Sequence, residues 1–257
     1  MEKVMYADLT PQEFRDRIKA CPIAYLPLGS LEWHGELMPY GTDGYIALDL
    51  FERLAQRVGG IVLPMLFMGT DTWSSVGKSK GFDADTPCLY GMDHWTGEEE
   101  AHKTKVKEMG QLEGSAYWIS EDIFMLYIEA IFRQLKRAGF TTVVGNGHGP
   151  SVVSVSRRAD DLYNRLGIRF FNCWGLDEDI THLGPSGGHG GISETSHIMA
   201  FRPELVQMGR FPHDADHKPV AVCGEDVRVY ASKEYGEAVI DITLRGMEKL
   251  LKKHLDK

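Results

Sequence analysis

Leu26-Pro27-Leu28-Gly29-Ser30-Leu31-Glu32-Trp33-His34-Gly35 is the stretch on which the fold turns. The apolar run that begins at Ile23 reads as a strand buried on both faces, and Gly29 ends it. The chain then presents a carboxylate at Glu32, an imidazole at His34 and, past Pro39 and Thr42, a second carboxylate at Asp43. Glu32 and His34 are two positions apart, so extended backbone projects them to the same side. Gly35, Pro39 and Gly41 supply a turn that folds Asp43 back over them. Glutamate, histidine and aspartate are the donors that zinc or manganese accepts, so the segment reads as half of a metal site.

Two other segments can supply the rest. Thr141-Thr142-Val143-Val144 is a second β-branched run, and it breaks into Gly145-Asn146-Gly147-His148-Gly149. The glycine-rich stretch from Gly187 to Ser196 contains His189 and Glu194. Ligands of open α/β sheets bind beyond the carboxyl ends of the strands, so these ends are expected to converge on one crevice. His189, between glycines, reads either as a loop histidine facing solvent or as a group brought close to a substrate. Glu194 precedes His197-Ile198-Met199 and reads as a carboxylate favoured by a helix N-terminus, which leaves it able to bind metal.

Along the chain, Thr10-Pro11 marks a helix start, and the helix is expected to run to Ala20. Residues 45–58 are amphipathic, with Ile46, Leu50, Leu54 and Val58 at four-residue spacing, and Gly59-Gly60 stops them. A strand over 61–65 follows. Residues 69–113 mix Trp73, Tyr90 and Trp95 with glycines and charges without a period, and such a stretch is expected to be functional, shaping a pocket or a subunit contact. A helix over 120–138 has Ile123, Leu126, Ile131 and Leu135 as its apolar stripe. One helix over 151–166, strands over 168–173 and 220–222 and a terminal helix over 237–255 complete the reading. Strands alternating with helices imply α/β architecture: one domain over 1–257 with a mostly parallel sheet covered on both faces.

The 257 residues are 43% hydrophobic and 25% charged, with net charge −9, ordinary for one soluble domain. Lys103, Lys105 and Lys107 follow Glu98, Glu99 and Glu100, a solvated helix face and not a nucleic-acid footprint. No signal-like or membrane-length apolar run is present. Cys21, Cys88, Cys173 and Cys223 form no C-x-x-C pair and read as reduced thiols of a cytoplasmic protein. No nucleophile elbow, P-loop or complete dinucleotide fingerprint appears. His94, His102, His182, His213, His217 and His254 are expected at the surface. Trp73, Trp95, Trp118 and Trp174 read as packing residues or parts of a substrate lid.

Together these patterns resemble the creatininase (creatinine amidohydrolase) family. Glu32-Trp33-His34-Gly35 with Pro39 and Thr42-Asp43, Asn146-Gly147-His148-Gly149, His189-Gly190-Gly191 with Glu194-Thr195-Ser196, and Arg202-Pro203-Glu204-Leu205-Val206 are similar to its motifs in the same order. The resemblance implies a three-layer αβα sandwich, often assembled as a hexamer or other homo-oligomer, in which residues 69–113 look like an insertion. It also implies two divalent ions, zinc in the first place and manganese or iron otherwise. Asp43 would bridge them, Glu32 and His148 holding one and His34 and Glu194 the other, with His189 carrying protons. Four positions depart from the family pattern: Glu36 replaces a common proline, Leu37 a second histidine, Ile192 a frequent glutamate, and Pro150 a metal-binding glutamate of creatininase itself. These bear more on the substrate than on the metal.

The expected activity is metal-dependent hydrolysis of a small cyclic or linear amide by an activated water. An alternative within the resemblance is ring opening of a cyclic polyhydroxy ketone such as an inosose. An alternative of another class is a metal-binding or assembly protein without turnover, to which Leu37 and Pro150 point.

Overall fold

The computed structural model describes residues 2–70, 117–174, 180–186, 188–211, 222 and 224–256. Helix α1 (Pro11–Ala20) starts on a reciprocal cap: the Thr10 hydroxyl accepts the Glu13 N–H, and the Glu13 carboxylate accepts the Thr10 N–H. The chain continues through β1 (Ile23–Leu28), α2 (Thr42–Val58), β2 (Ile61–Val62), β3 (Gly69–Thr70), β4 (Trp118–Ile119) and α3 (Glu121–Ala138). Then come β5 (Thr142–Gly147), α4 (Gly149–Arg157), α5 (Ala159–Leu166) and β6 (Arg169–Asn172). Helices α6 (Ile192–Phe201), α7 (Val227–Tyr230) and α8 (Lys233–Leu255) follow.

The main sheet has four parallel strands in the order β2-β1-β5-β6, and β3 pairs with β4 in a separate parallel ribbon. Every residue of β1 is buried because helices cover both faces. Period-two alternation divides the strand residues between two cores. Ile23, Tyr25, Val62 and Val144 pack with Phe51 and Leu54 of α2 and with Ile240, Leu244 and Met247 of α8. Ala24, Leu26, Leu28, Ile61, Val143 and Phe170 pack with Phe124, Ile128 and Phe132 of α3, Val152 and Val155 of α4, and Leu162 of α5. This is the three-layer αβα sandwich with a mostly parallel sheet.

Several elements differ from the sequence reading. Asp43 lies inside the first turn of α2, since Gly44 does not interrupt that helix. The strand over 61–65 shortens to β2, with a further bridge from Leu66 to Leu28. Gly69 and Thr70 form a strand; the rest of the irregular stretch as far as residue 113 lies outside the described residues, as do His94, His102, His213, His217, Trp73 and Trp95. The helix over 151–166 is two, α4 and α5, which meet at Arg158. Val222 is not in a strand, and residues 220 and 221 lie outside the described set. His254 is half-buried against the edge of Phe171 and 3.0 Å from the Thr142 hydroxyl, so it is not a surface histidine.

The apolar stripe of α3 is also corrected. Phe124, Met125, Ile128, Phe132 and Leu135 face the core, while Ile123 is 57% and Leu126 71% exposed. Ile128→Ala is therefore expected to cost about 2–5 kcal/mol. Leu126→Ala should stay within about 0.5 kcal/mol of wild type. Urea unfolding of the two variants checks the assignment.

Candidate metal centre

The carboxyl ends of β1 and β5 meet because backbone comes unusually close there. The His148 N–H donates to the Leu28 carbonyl, tying the start of α4 to the end of β1. Gly147 has φ 128°, and a Cβ on it would collide with the Leu28 carbonyl oxygen. A Cβ on Gly29 would lie 3.0 Å from the Gly44 Cα, so this glycine lets the first turn of α2 press against the strand end. The loop after β1 closes where the Glu32 N–H donates to the Tyr40 carbonyl. Asp43 thereby returns to Ser30, whose hydroxyl donates to its Oδ2 at 3.0 Å.

All six residues singled out in the sequence gather at this point. The ligand atoms of Glu32, Asp43 and His148 lie within 4.8 Å of one another, as do those of His34, Asp43 and Glu194, and those of Glu32, His34 and His189. Glu32, His34, Asp43 and His148 are buried, His189 is 9% exposed, and the Glu194 side chain is 28% exposed. Glu194 sits in the first turn of α6, and its Oε2 also accepts the Gly190 N–H at 2.8 Å. His189 is thus not a solvent-facing loop residue.

Each imidazole gives one N–H to a backbone carbonyl. His34 Nδ1 donates to Glu32 O at 2.9 Å, His148 Nε2 to Thr70 O at 2.7 Å and His189 Nε2 to Trp33 O at 2.7 Å. Histidines that ligate metal are commonly oriented in this way. The other nitrogens turn towards carboxylates. His34 Nε2 lies 3.4 Å from Asp43 Oδ1 and 3.6 Å from Glu194 Oε2; His148 Nδ1 lies 3.1 Å from Glu32 Oε2 and 3.2 Å from Asp43 Oδ2. His189 Nδ1 is 4.0 Å from Glu32 Oε1, and its ring packs against that of His34 with centroids 4.2 Å apart and planes tilted by 31°.

His34 Nε2 is buried without a hydrogen-bond partner. A polar nitrogen so placed is costly unless a cation or proton occupies the space before it. Imidazole and carboxylate donors around that space suit a borderline divalent ion, so the residues present fit a metal.

Charge follows from the same contacts. Burial alone would depress His34, yet Asp43 and Glu194 push it up to about 10. His148 is raised well above its usual value because Glu32 and Asp43 outweigh its burial. Glu32 and Asp43 are lowered: burial opposes ionisation, but His189 and His148 act on Glu32, and His34 and His148 on Asp43. Burial pushes Glu194 up to about 7 against the pull of His34. Burial and the neighbouring His34 lower His189, which is therefore neutral at pH 7.

Sequence reading did not assign a role to Ser30, Ser151, His197 or the carbonyls of Trp33 and Thr70. Ser30 stood in the quoted stretch, but a positioning hydroxyl has no spacing signature. Ser151 Oγ accepts the Thr70 N–H at 3.2 Å, holding the carbonyl that orients His148. Ser151→Ala should weaken metal binding about 10–100-fold in a folded protein, read by competition with a metal indicator.

The metal-free protein should also respond to alkali. A histidine raised from 6.5 to about 10 stabilises the fold fully below 6.5, and the contribution disappears as pH rises through about 10. The melting temperature should therefore fall across that interval and fall less with metal bound, because the ion replaces the protons. Calorimetry of metal-free and metal-loaded samples checks this.

A family model described as "Creatininase: Creatinine amidohydrolase" matches residues 7–81 and 106–251. Creatinine amidohydrolase of Pseudomonas putida is 26% identical over 280 residues, spanning 96% of this chain and 95% of that protein. The 3-dehydro-scyllo-inosose hydrolase of Thermotoga maritima is 28% identical over 74 residues, 29% of this chain and 24% of that protein. A solved manganese form of creatininase has a TM-score of 0.70 at 22% identity, covering 98% of this chain and 99% of that one. A zinc–zinc form of a creatininase variant gives 0.69 at 22% identity, covering 99% of both chains. With the family model matching most of its length, the chain belongs to the creatininase family.

Proposed function

We propose that this chain is a divalent-metal-dependent amidohydrolase acting on a small cyclic or linear amide. The observation that carries the reading is one carboxylate divided between two imidazoles. Asp43 Oδ1 faces His34 at 3.4 Å, and Oδ2 faces His148 at 3.2 Å. A carboxylate so placed suits a bridge, with Glu32 and His148 completing one donor set and His34 and Glu194 the other. Manganese and zinc are the metals named for solved creatininases, and donors without thiolate suit either. Bound there, such ions would acidify a water and polarise a carbonyl oxygen.

The chain's own residues do the rest. Glu32 and Asp43 remain carboxylates at neutral pH, and once an ion displaces the inward protons of His34 and His148, the backbone carbonyls at Glu32 and Thr70 would hold both rings in the tautomers that turn a lone pair inward. His189, neutral and hydrogen-bonded to Trp33 O, can take a proton at Nδ1 and return it to the departing nitrogen.

Ring opening of a polyhydroxy ketone would use the same attack on a carbonyl carbon, and a match over 74 residues favours it. The amide reading has the support of a relative matched over 96% of this chain. Against a protein without turnover, the donor set closes without Leu37 or Pro150. Leu37 is buried with Ile192 and Ile198, and Pro150 occupies the first turn of α4.

Two substitutions test the division of roles. Asp43→Ala should lose both ions and all activity, measured by metal analysis and an amide panel. His189→Gln should retain its metal while kcat falls about 10²–10⁴-fold. Full metal occupancy in the first variant, or lost metal in the second, overturns the assignment.

A further inference from the structure

Beside the metal centre is an open cleft of about 250 Å³ to which Asp43 and Glu194 both contribute. Leu50, Val239 and Trp174 give it apolar surface, with Trp174 itself 45% exposed. His197 on α6 and Thr243 on α8, with Asn146 and Ser193, are polar residues that line it without belonging to the metal groups.

Their hydrogen bonds decide what they can offer. His197 Nδ1 donates to the Ser193 carbonyl one turn back, so the ring's remaining nitrogen, Nε2, has a lone pair. Burial lowers the pKa of His197, which keeps the ring neutral at pH 7. The Thr243 hydroxyl donates to the Val239 carbonyl at 3.0 Å, leaving its oxygen only as an acceptor. Among the described residues no lysine or arginine lines the cleft. Asn146 and Ser193 can donate, but the charged groups at the cleft, Asp43 and Glu194, are acids.

We propose that this cleft receives the part of the substrate remote from the scissile bond, and that His197 Nε2 and Thr243 Oγ1 select there an uncharged or cationic group bearing N–H or O–H donors. A carboxylate at that end would meet the acceptors of His197 and Thr243 beside the acids Asp43 and Glu194, with no lysine or arginine among the described residues to pair it, and such like-charge contact is disfavoured. A donor would gain about threefold to tenfold in affinity from each acceptor. The inference rests on the amidohydrolase reading for the identity of the adjoining centre. It assigns specificity to two residues outside that centre, one of which, His197, stands in the apolar Ile198-Met199 stretch as an ordinary helix residue.

Acetamidinium, acetamide and acetate have nearly the same shape and differ in charge and donors, which makes them suitable probes. Their binding to the metal-loaded protein can be followed by NMR titration, with metal content measured for every variant. Thr243→Val should weaken acetamidinium and acetamide about threefold to tenfold, and Thr243→Ser should restore them. His197→Leu should weaken both in the same way. Acetate, which can reach a metal ion directly, should respond to neither change. Glycerol distinguishes the two donor sources: if Thr243→Val weakens glycerol more than acetamide, the subsite serves hydroxyls, and the reverse assigns it to N–H groups. Equal losses for acetate and acetamidinium, no response to Thr243→Val, or no detectable binding of the donor probes overturns the proposal. Binding is read without turnover. The expected pattern in a protein that hydrolyses no amide would overturn the function and leave the subsite standing.

Discussion

Burial of Glu32 and Asp43 among three imidazoles is the constraint on which the rest of the structure depends. A lone carboxylate removed from water costs several kcal/mol, so the fold can hold two of them only with positive charge close by. His34 and His148 supply that charge as imidazolium when no metal is bound, which is why their pKa values rise and those of the acids fall. Divalent ions satisfy the same carboxylates without protons. The centre can therefore exchange protons for metal with its side chains in place, and metal binding becomes linked to both pH and stability.

That arrangement needs backbone as much as side chains. Each of the three imidazoles is oriented by a main-chain carbonyl, from Glu32, Trp33 and Thr70. Two of these belong to the loop after β1 and the third to the ribbon of β3 and β4. The parallel sheet brings the loops together, because β1 and β5 are adjacent and end at the same level, with Leu28 opposite Gly147. Glycine at 29 and 147 permits the close approach. The small ribbon next to His148 thus contributes to the site without supplying a ligand.

The sheet was legible because β1 is an apolar run and the start of β5 a β-branched one, each breaking into glycine. The residues of the centre were legible because carboxylate and imidazole letters cluster at those ends. Their orienting partners were not, since a carbonyl oxygen has no letter. Helix α3 was misread for a different reason. Ile123, Leu126, Ile131 and Leu135 make one helical stripe, and Phe124, Ile128, Phe132 and Leu135 make another rotated by about one residue. Periodicity accepts both; the larger aromatic area decided which one faces the sheet. Asp43 was placed before α2 because the apolar period begins only after Gly44, whereas Gly44 is a residue of the helix that presses against the strand end. His197 escaped notice because a histidine among apolar residues carries no spacing that separates packing from recognition.

The departures from the family pattern fit one another physically. Leu37 and Ile192, which stand where relatives commonly have histidine and glutamate, share a buried cluster with Met38, Ile198, Phe211 and Val227. A polar side chain at only one of these two positions would be stranded in apolar surroundings, so the two apolar residues belong together. Pro150 lies at the start of α4, where a missing N–H costs the helix nothing, and it removes the acidic group that creatininase has there. Under the proposed function the acidic ligands are then Glu32, Asp43 and Glu194, the last in the first turn of α6 and 3.6 Å from His34. The acidic donor that remains, Glu194, stands at a helix N-terminus, a favourable place for a carboxylate. That position sets Glu194 at the edge of the cleft shared with His197, on the same helix one turn on. Under the two proposals, metal binding at Glu194 and substrate selection at His197 then meet on α6.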